Sequence, residues 1–275
     1  SLSGQVLFVF QPAEEGPPEG ERGGAKLMME EGLFDIAKPD AMIGLHLMAS
    51  LNTGVIGYKP GPLMAGSDYF TIVVTGAQTH GSRPWGGVDP ITVSGQIITG
   101  LQTIVSRQID ITHVPAVITV GAIKGGIRFN IIPDSVEMVG TVRNFDRAMR
   151  DDIVKRMQTT ASNIAEASGA KAEVKFRSEV SLPPVVNDLE LTNRAVPLFE
   201  QLVGKDNVTQ ISLQTTADDF SFFGTEVPSI YFWVGVTPRD KDPAKVPFNH
   251  SPLFYLDEAA LITGVRATLA LTTDF

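Results

Sequence analysis

The stretch Gln5-Val6-Leu7-Phe8-Val9-Phe10-Gln11-Pro12-Ala13-Glu14-Glu15-Gly16 decides how the chain is read. Five of its first six residues are apolar and do not alternate with polar ones, which is the pattern of a fully buried strand. Two neighbouring carboxylates stand just beyond the strand, where they repel each other. An isolated Glu-Glu pair is usually a solvated acidic loop. A divalent cation gives it another meaning: one carboxylate ligates, and the other stays free to take a proton from water. The remainder of the chain has to decide between the two.

Outward from this stretch, a loop rich in Gly, Pro and Glu runs through Gly16-Pro17-Pro18-Glu19-Gly20-Glu21-Arg22 to Gly24. A short helix is expected over residues 25–31, ended by Gly32. A second buried strand over 41–45 ends at His46. Strand, helix and strand at this spacing predict a parallel unit, with Glu15 and His46 at the carboxyl edge of the sheet. From Asp68 the pattern changes. Strands are expected at 69–75, 116–123, 135–145 and 172–180, with helices at 90–107 and 147–168. Asp89 and Pro90 mark the start of the first helix, and Ile97, Leu101, Ile104 and Val105 share one face of it. The order β-α-β-β-α-β is that of a ferredoxin-like unit. After Pro183-Pro184 the first pattern resumes, with a helix at 189–203, strands at 208–211 and 229–234, and a last helix at 257–271. The expected class is α/β: a central, mostly parallel sheet, incomplete here, interrupted by a ferredoxin-like α+β lid or dimerisation domain. The first domain takes 1–64 and 181–275, and the inserted domain takes 65–180. The proline-rich segments 60–62 and 183–184 are the expected hinges.

With 275 residues and 43% hydrophobic content the chain can fill more than one core. A net charge of −9 with no Lys/Arg run argues against a nucleic-acid partner. The absence of cysteine removes sulfur-based zinc sites and thiol nucleophiles, so any metal falls to His, Asp and Glu. No apolar run reaches the roughly 18 residues of a membrane span, and no charged-then-apolar leader opens the chain, so a cytoplasmic protein without a membrane partner is expected. The chain opens at Ser1 and within a few residues meets a core strand, which reads as a domain entered partway through.

The four histidines differ in setting. His46 closes the strand of Gly44-Leu45-His46. His250 stands in Phe248-Asn249-His250-Ser251-Pro252, a loop before the last helix. His80 lies in Thr79-His80-Gly81-Ser82-Arg83 on the inserted domain, and His113 has no chemical neighbours and is structural. Glu15, His46 and His250 fall on strand ends or loops at one sheet edge, and together they offer an oxygen and two nitrogens, a set suited to zinc, manganese or cobalt. Asp218 and Asp219 either bond a ligating histidine from behind or cap the turn that follows them.

Phe10-Gln11-Pro12-Ala13-Glu14-Glu15-Gly16, Gly44-Leu45-His46, Gly125-Gly126-Ile127-Arg128-Phe129-Asn130-Ile131-Ile132-Pro133-Asp134 and Asn249-His250-Ser251-Pro252, taken in order, resemble the aminoacylase and carboxypeptidase type of di-metal peptidase. Within it they are most similar to the amidohydrolases that act on N-acyl-amino acids, hippurate and auxin conjugates. The resemblance spans the whole chain. It implies that Glu14 is the general base, that Glu15, His46 and His250 are metal ligands, and that His80 and Asn130 stabilise the oxyanion, often from a neighbouring subunit. It also implies two divalent ions per full-length subunit (Zn, Mn, Co or Ni), a small N-acyl-amino acid or peptide substrate, and a homodimer formed through the lid. The family's upstream Cys-x-His or His-x-Asp metal motif has no counterpart ahead of Gln5, so the amino-terminal segment of the pattern is missing. Asp218 stands where a glutamate is more usual.

Two other readings remain open at this stage. One is a non-catalytic, dimerising piece of such an enzyme. The other is a dipeptidase or aminopeptidase using the same ligands, in which Arg128 binds a substrate carboxylate through a bidentate contact.

Overall fold

The structure is a computed structural model that describes residues 4–18 and 20–275. Glu19 of the proline-rich loop and the first three positions of the 1–64 segment lie outside the described residues. In chain order the elements are α1 (Gly24–Glu30), α2 (Leu33–Ile36), β1 (Met42–Asn52), β2 (Ile56–Tyr58), β3 (Gly61–Met64), β4 (Gly66–Thr75), β5 (Thr79–His80), α3 (Pro90–Arg107), β6 (Val117–Gly125), β7 (Ile131–Ile132), β8 (Ser135–Asn144), α4 (Arg147–Ala167), β9 (Lys171–Phe176), β10 (Val185–Asn187), α5 (Leu189–Val203), β11 (Val208–Gln210), α6 (Ser221–Gly224), β12 (Ser229–Thr237) and α7 (Ala259–Asp274). They divide into two compact units. One comprises residues 1–64, 185–214 and 218–275; the other comprises residues 65–184 and 215–217.

The first unit is built on a four-stranded sheet ordered β1-β12-β2-β11, in which β1 runs parallel to β12 and β11 parallel to β2, while β12 and β2 are antiparallel. Every residue of β12 is buried, as expected for a strand covered on both faces. Its side chains alternate between two cores. Phe232 and Val234 pack with Phe199 of α5 and with Ala260, Ala267 and Leu271 of α7. Tyr231 packs on the other face with Ala25, Leu63, Phe220 and Phe223. The β1–β12 register shifts between Met48 and Asn52, and there Gly235 lies so close to β1 that a Cβ would stand 2.2 Å from the Asn52 carbonyl oxygen. Only glycine lets the two backbones come this close.

The expected strand at residues 5–10 does not form. These residues lie outside any ladder, and Phe8 and Phe10 are 75% and 86% exposed, their rings stacked on each other at 6.5 Å. Apolar composition suits a strand to a sheet interior, but a strand also needs a hydrogen-bonding partner and a covering layer, and no described strand supplies either. The parallel unit read from 5–10, the first helix and 41–46 is therefore corrected: the parallel neighbour of β1 is β12, reached from far along the chain. β1 also continues six residues past His46, so this histidine sits inside a strand and not at its end.

The second unit has a sheet ordered β6-β8-β4-β9, antiparallel throughout. The helices α3 and α4 pack against it, and Phe70, Ile72, Ile97, Leu101, Ile104, Met138, Ile153 and Met157 form the centre of the core. The helix starts follow local chemistry: the Asp89 side chain accepts from the backbone N–H of Ile91 and Thr92, Pro90 fills the first position of α3, and Asp146 accepts from Met149 N–H at the head of α4. The short strands β5 and β7 pair as an arm, His80 opposite Ile131. At the start of β4 the nearly inaccessible Asp68 carboxylate is held by Arg150 of α4, with Nη2 at 2.7 Å and Nε at 3.0 Å. Among the described residues no helix is long and apolar enough to cross a membrane.

Candidate functional site

Glu14 and Glu15 sit on a tight turn in which Gly16 N–H donates to the Ala13 carbonyl at 3.2 Å, and Ala13 adopts a left-handed φ of 55°. Left-handed backbone is uncommon for a residue with a Cβ, and the two residues that follow Ala13 are both exposed. His250 adopts the same region, with φ 69°. Its Nδ1 lies 3.6 Å from Glu15 Oε2, so residues far apart in sequence meet.

The loop carrying His250 is tied to β1 by its neighbour. Asn249 Nδ2 donates to the Leu47 carbonyl at 2.8 Å, and its Oδ1 accepts from Ala49 N–H at 3.0 Å. The Leu47 carbonyl has a second partner, His46 Nδ1 at 2.6 Å. A carbonyl can only accept, so that contact places the proton on Nδ1 and leaves Nε2 as the ring nitrogen with a lone pair. This is the arrangement by which a backbone carbonyl orients a metal-ligating imidazole. One carbonyl thus holds both His46 and the residue before His250.

The His46 ring also meets Tyr231 edge-on, with centroids 6.5 Å apart. The buried Tyr231 hydroxyl donates to Asp218 Oδ2 at 2.7 Å, and burial, followed by the charge of Asp218, pushes the phenol well above its usual range. Carboxylate oxygens of Glu14, Asp218 and Asp219 lie within 4.8 Å of one another. The Glu14 residue is open to solvent, yet its carboxyl is partly withdrawn, and burial first, then the charges of Asp218, Glu15 and Asp219, push it up to about 7. A carboxyl raised this far takes a proton near neutral pH more readily than an ordinary glutamate does.

Asp218 and Asp219 do not bond a histidine. Asp218 Oδ1 accepts from Phe220 N–H at 2.9 Å, a local turn, and its other oxygen is taken by Tyr231. Asp219 accepts from Gln11 Nε2 and Ala25 N–H. Tyr231 is the residue that the sequence analysis missed: inside an apolar strand it looks like filler, and its link to Asp218 exists only in three dimensions.

The remaining candidates lie on the second unit, on its β5/β7 arm. His80 Nδ1 accepts from Ser82 N–H at 3.1 Å and contacts Ser82 Oγ at 2.8 Å. That leaves the ring proton on Nε2, as a donor. Asn130 is held beside it by Gly81 N–H donating to the Asn130 carbonyl at 2.8 Å, and its side-chain Oδ1 is buried without a partner among the described residues. Arg128 is exposed two residues before Asn130.

Among the described residues, the group of three whose ligand atoms all lie within 4.8 Å of one another is Glu14, Asp218 and Asp219, a crowd of like charges that a divalent cation would relieve. Glu15 meets His250 at 3.6 Å and His46 is oriented by the Leu47 carbonyl, but these three side chains do not form such a group.

The profile of peptidase family M20/M25/M40 matches residues 1–274. The chain is 38% identical over 274 residues to thermostable carboxypeptidase 2 of Saccharolobus solfataricus, covering all of this chain and 67% of that protein. It is 36% identical over 262 residues to the N-acetyl-L-cysteine deacetylase of Bacillus subtilis, covering 95% of this chain and 58% of that one. Among solved structures, a dinuclear metal-binding peptidase of the M20 family from Bacillus subtilis superposes with a TM-score of 0.77 at 32% identity, over 96% of this chain and 63% of its own. The chain therefore spans about three fifths to two thirds of the length of these relatives.

Proposed function

The chain belongs to peptidase family M20/M25/M40, and from that premise we propose that it is the part of a metal-dependent amide hydrolase that carries the general base, three ion ligands and the oxyanion donors. The reaction is release of an acyl group from an N-acyl-amino acid. Glu15, His46 and His250 are the residues that would hold a divalent ion of the Zn, Mn, Co or Ni class, one of two in the full-length subunit. When bound, the ion polarises the scissile carbonyl and acidifies water. Glu14 takes the proton of the attacking water and passes it to the departing amide nitrogen. His80 Nε2–H and Asn130 Nδ2–H act as donors to the developing oxyanion, in the same chain or in a second copy of a homodimer formed through the second unit acting as a lid. Arg128 takes the substrate carboxylate.

The observation that carries this reading is the shared Leu47 carbonyl, which fixes the His46 tautomer and anchors the loop that brings His250 to Glu15. A second reading, cleavage of peptides, is favoured by the carboxypeptidase name of the Saccharolobus relative. The two are separated by incubating the Mn2+-loaded protein with N-acetyl- and N-benzoyl-amino acids and, separately, with unblocked dipeptides, and following amino-acid release. Faster release from the N-acyl compounds is expected. Release confined to dipeptides would replace this reading with the peptidase one, and release from neither would favour a non-catalytic, dimerising role for the chain as it stands.

A further inference from the structure

The loop bearing Glu14 and Glu15 is not anchored by a strand, because residues 5–10 join no ladder among the described residues. Its two ends converge instead on one buried carboxylate from a distant part of the chain. Asp219 Oδ1 accepts from Gln11 Nε2 at 2.7 Å, and Asp219 Oδ2 accepts from Ala25 N–H at 2.7 Å. Gln11 precedes the loop and Ala25 follows it. Between them, Gly24 N–H closes the base by donating to the Pro12 carbonyl at 2.7 Å.

The fit around this carboxylate is tight. Gly24 stands at φ 75°, and a Cβ there would lie 2.3 Å from Asp219 Oδ2. Helix α1 begins at Gly24 after a glycine cap with no side-chain hydrogen bond of its own. Asp219 therefore does from afar what a Ser or Asp cap does locally, and uses its second oxygen to grip the other end of the loop. Both oxygens are already accepting, so the residue is better suited to holding the loop than to ligating an ion.

We infer that Asp219 is a positioning residue that clips together the two ends of loop 11–25 and so sets the place of Glu14 and Glu15. The inference rests on the roles assigned to that pair above. Asparagine can reproduce the clip: its Oδ1 takes the Ala25 N–H, and its Nδ2 donates to Gln11 Oε1 once the glutamine amide rotates. Alanine cannot.

The test uses the full chain and two readouts, hydrogen exchange of the loop amides and titration with Mn2+ alone. Asp219→Ala is expected to speed exchange across residues 12–25, and to weaken Mn2+ binding, each by roughly tenfold or more, the size of losing hydrogen bonds to a charged group. Asp219→Asn is expected to stay within about threefold of the parent on both. Unchanged exchange in Asp219→Ala overturns the inference. So does an Asp219→Asn variant as impaired as Asp219→Ala, since charge and not the clip would then be what matters. Should Asp219→Ala fail to fold, Gln11→Ala is read in its place, with faster loop exchange supporting the clip and parental exchange overturning it. If the parent takes up no Mn2+, the ion assignment fails on its own, while the exchange comparison still decides the clip.

Discussion

Glu14→Gln is expected to lower turnover of an N-acyl-amino acid by roughly 10²–10⁴-fold, the usual range for loss of a general base, while ion content stays at the parental level. Glutamine keeps the size and much of the hydrogen bonding of the side chain but cannot accept a proton from water. The separation of the two effects follows from the geometry: Glu15 is the member of the pair that faces His250, whereas Glu14 faces Asp218 and Asp219. Measuring turnover beside metal analysis of the same sample decides the point. Turnover close to parental would remove Glu14 from the base role. A parallel loss of ion would make it a ligand.

The largest stability effect is expected at the base of the second unit. Arg150→Met removes both guanidinium bonds to Asp68 and leaves a carboxylate that is 4% exposed without a counter-ion, touched by Asn144 Nδ2 at 3.5 Å. An unpaired buried charge of this kind costs about 3 kcal/mol, the lower end of the range for broken buried ion pairs because Arg150 itself is partly open to solvent. The Asp68→Leu/Arg150→Met double variant should recover most of that loss, because an apolar pair leaves no charge to solvate. Urea unfolding of the three proteins measures both effects. A cost below about 1 kcal/mol for Arg150→Met would mean that solvent reaches Asp68 and that the pair is a surface contact.

Elements governed by local chemistry could be read from the residues alone. The helices at 90–107 and 189–203 lie where the sequence predicts, and their starts are set by Asp89, Pro90 and Asp188 through contacts within a few residues. The order of strands and helices in the second unit was legible for the same reason, apart from the short β5/β7 arm. What could not be read was pairing. Residues 5–10 have the composition of a buried strand but no described partner, and β1 pairs with β12, whose residues lie almost 190 positions later. The candidate site divides along the same line. Glu14, Glu15, His46 and His250 were visible as residue types at marked positions. The Leu47 carbonyl that binds His46 and Asn249, the Tyr231–Asp218 bond and the Asp219 clip depend on contacts across the fold that no local pattern announces. The Asp218-Asp219 doublet, a second acidic pair in a chain already marked by Glu14-Glu15, was the one sequence signal that pointed toward them.

The account depends on a cation sitting between Glu15, His46 and His250. The direct measurement is diffraction from crystals soaked in Mn2+, recorded at a wavelength where manganese scatters anomalously. An anomalous peak within about 2.0–2.3 Å of a Glu15 carboxylate oxygen and of nitrogens of His46 and His250 is the predicted result. A protein saturated with Mn2+ whose peak lies away from these three side chains, or that shows no peak at all, would contradict it.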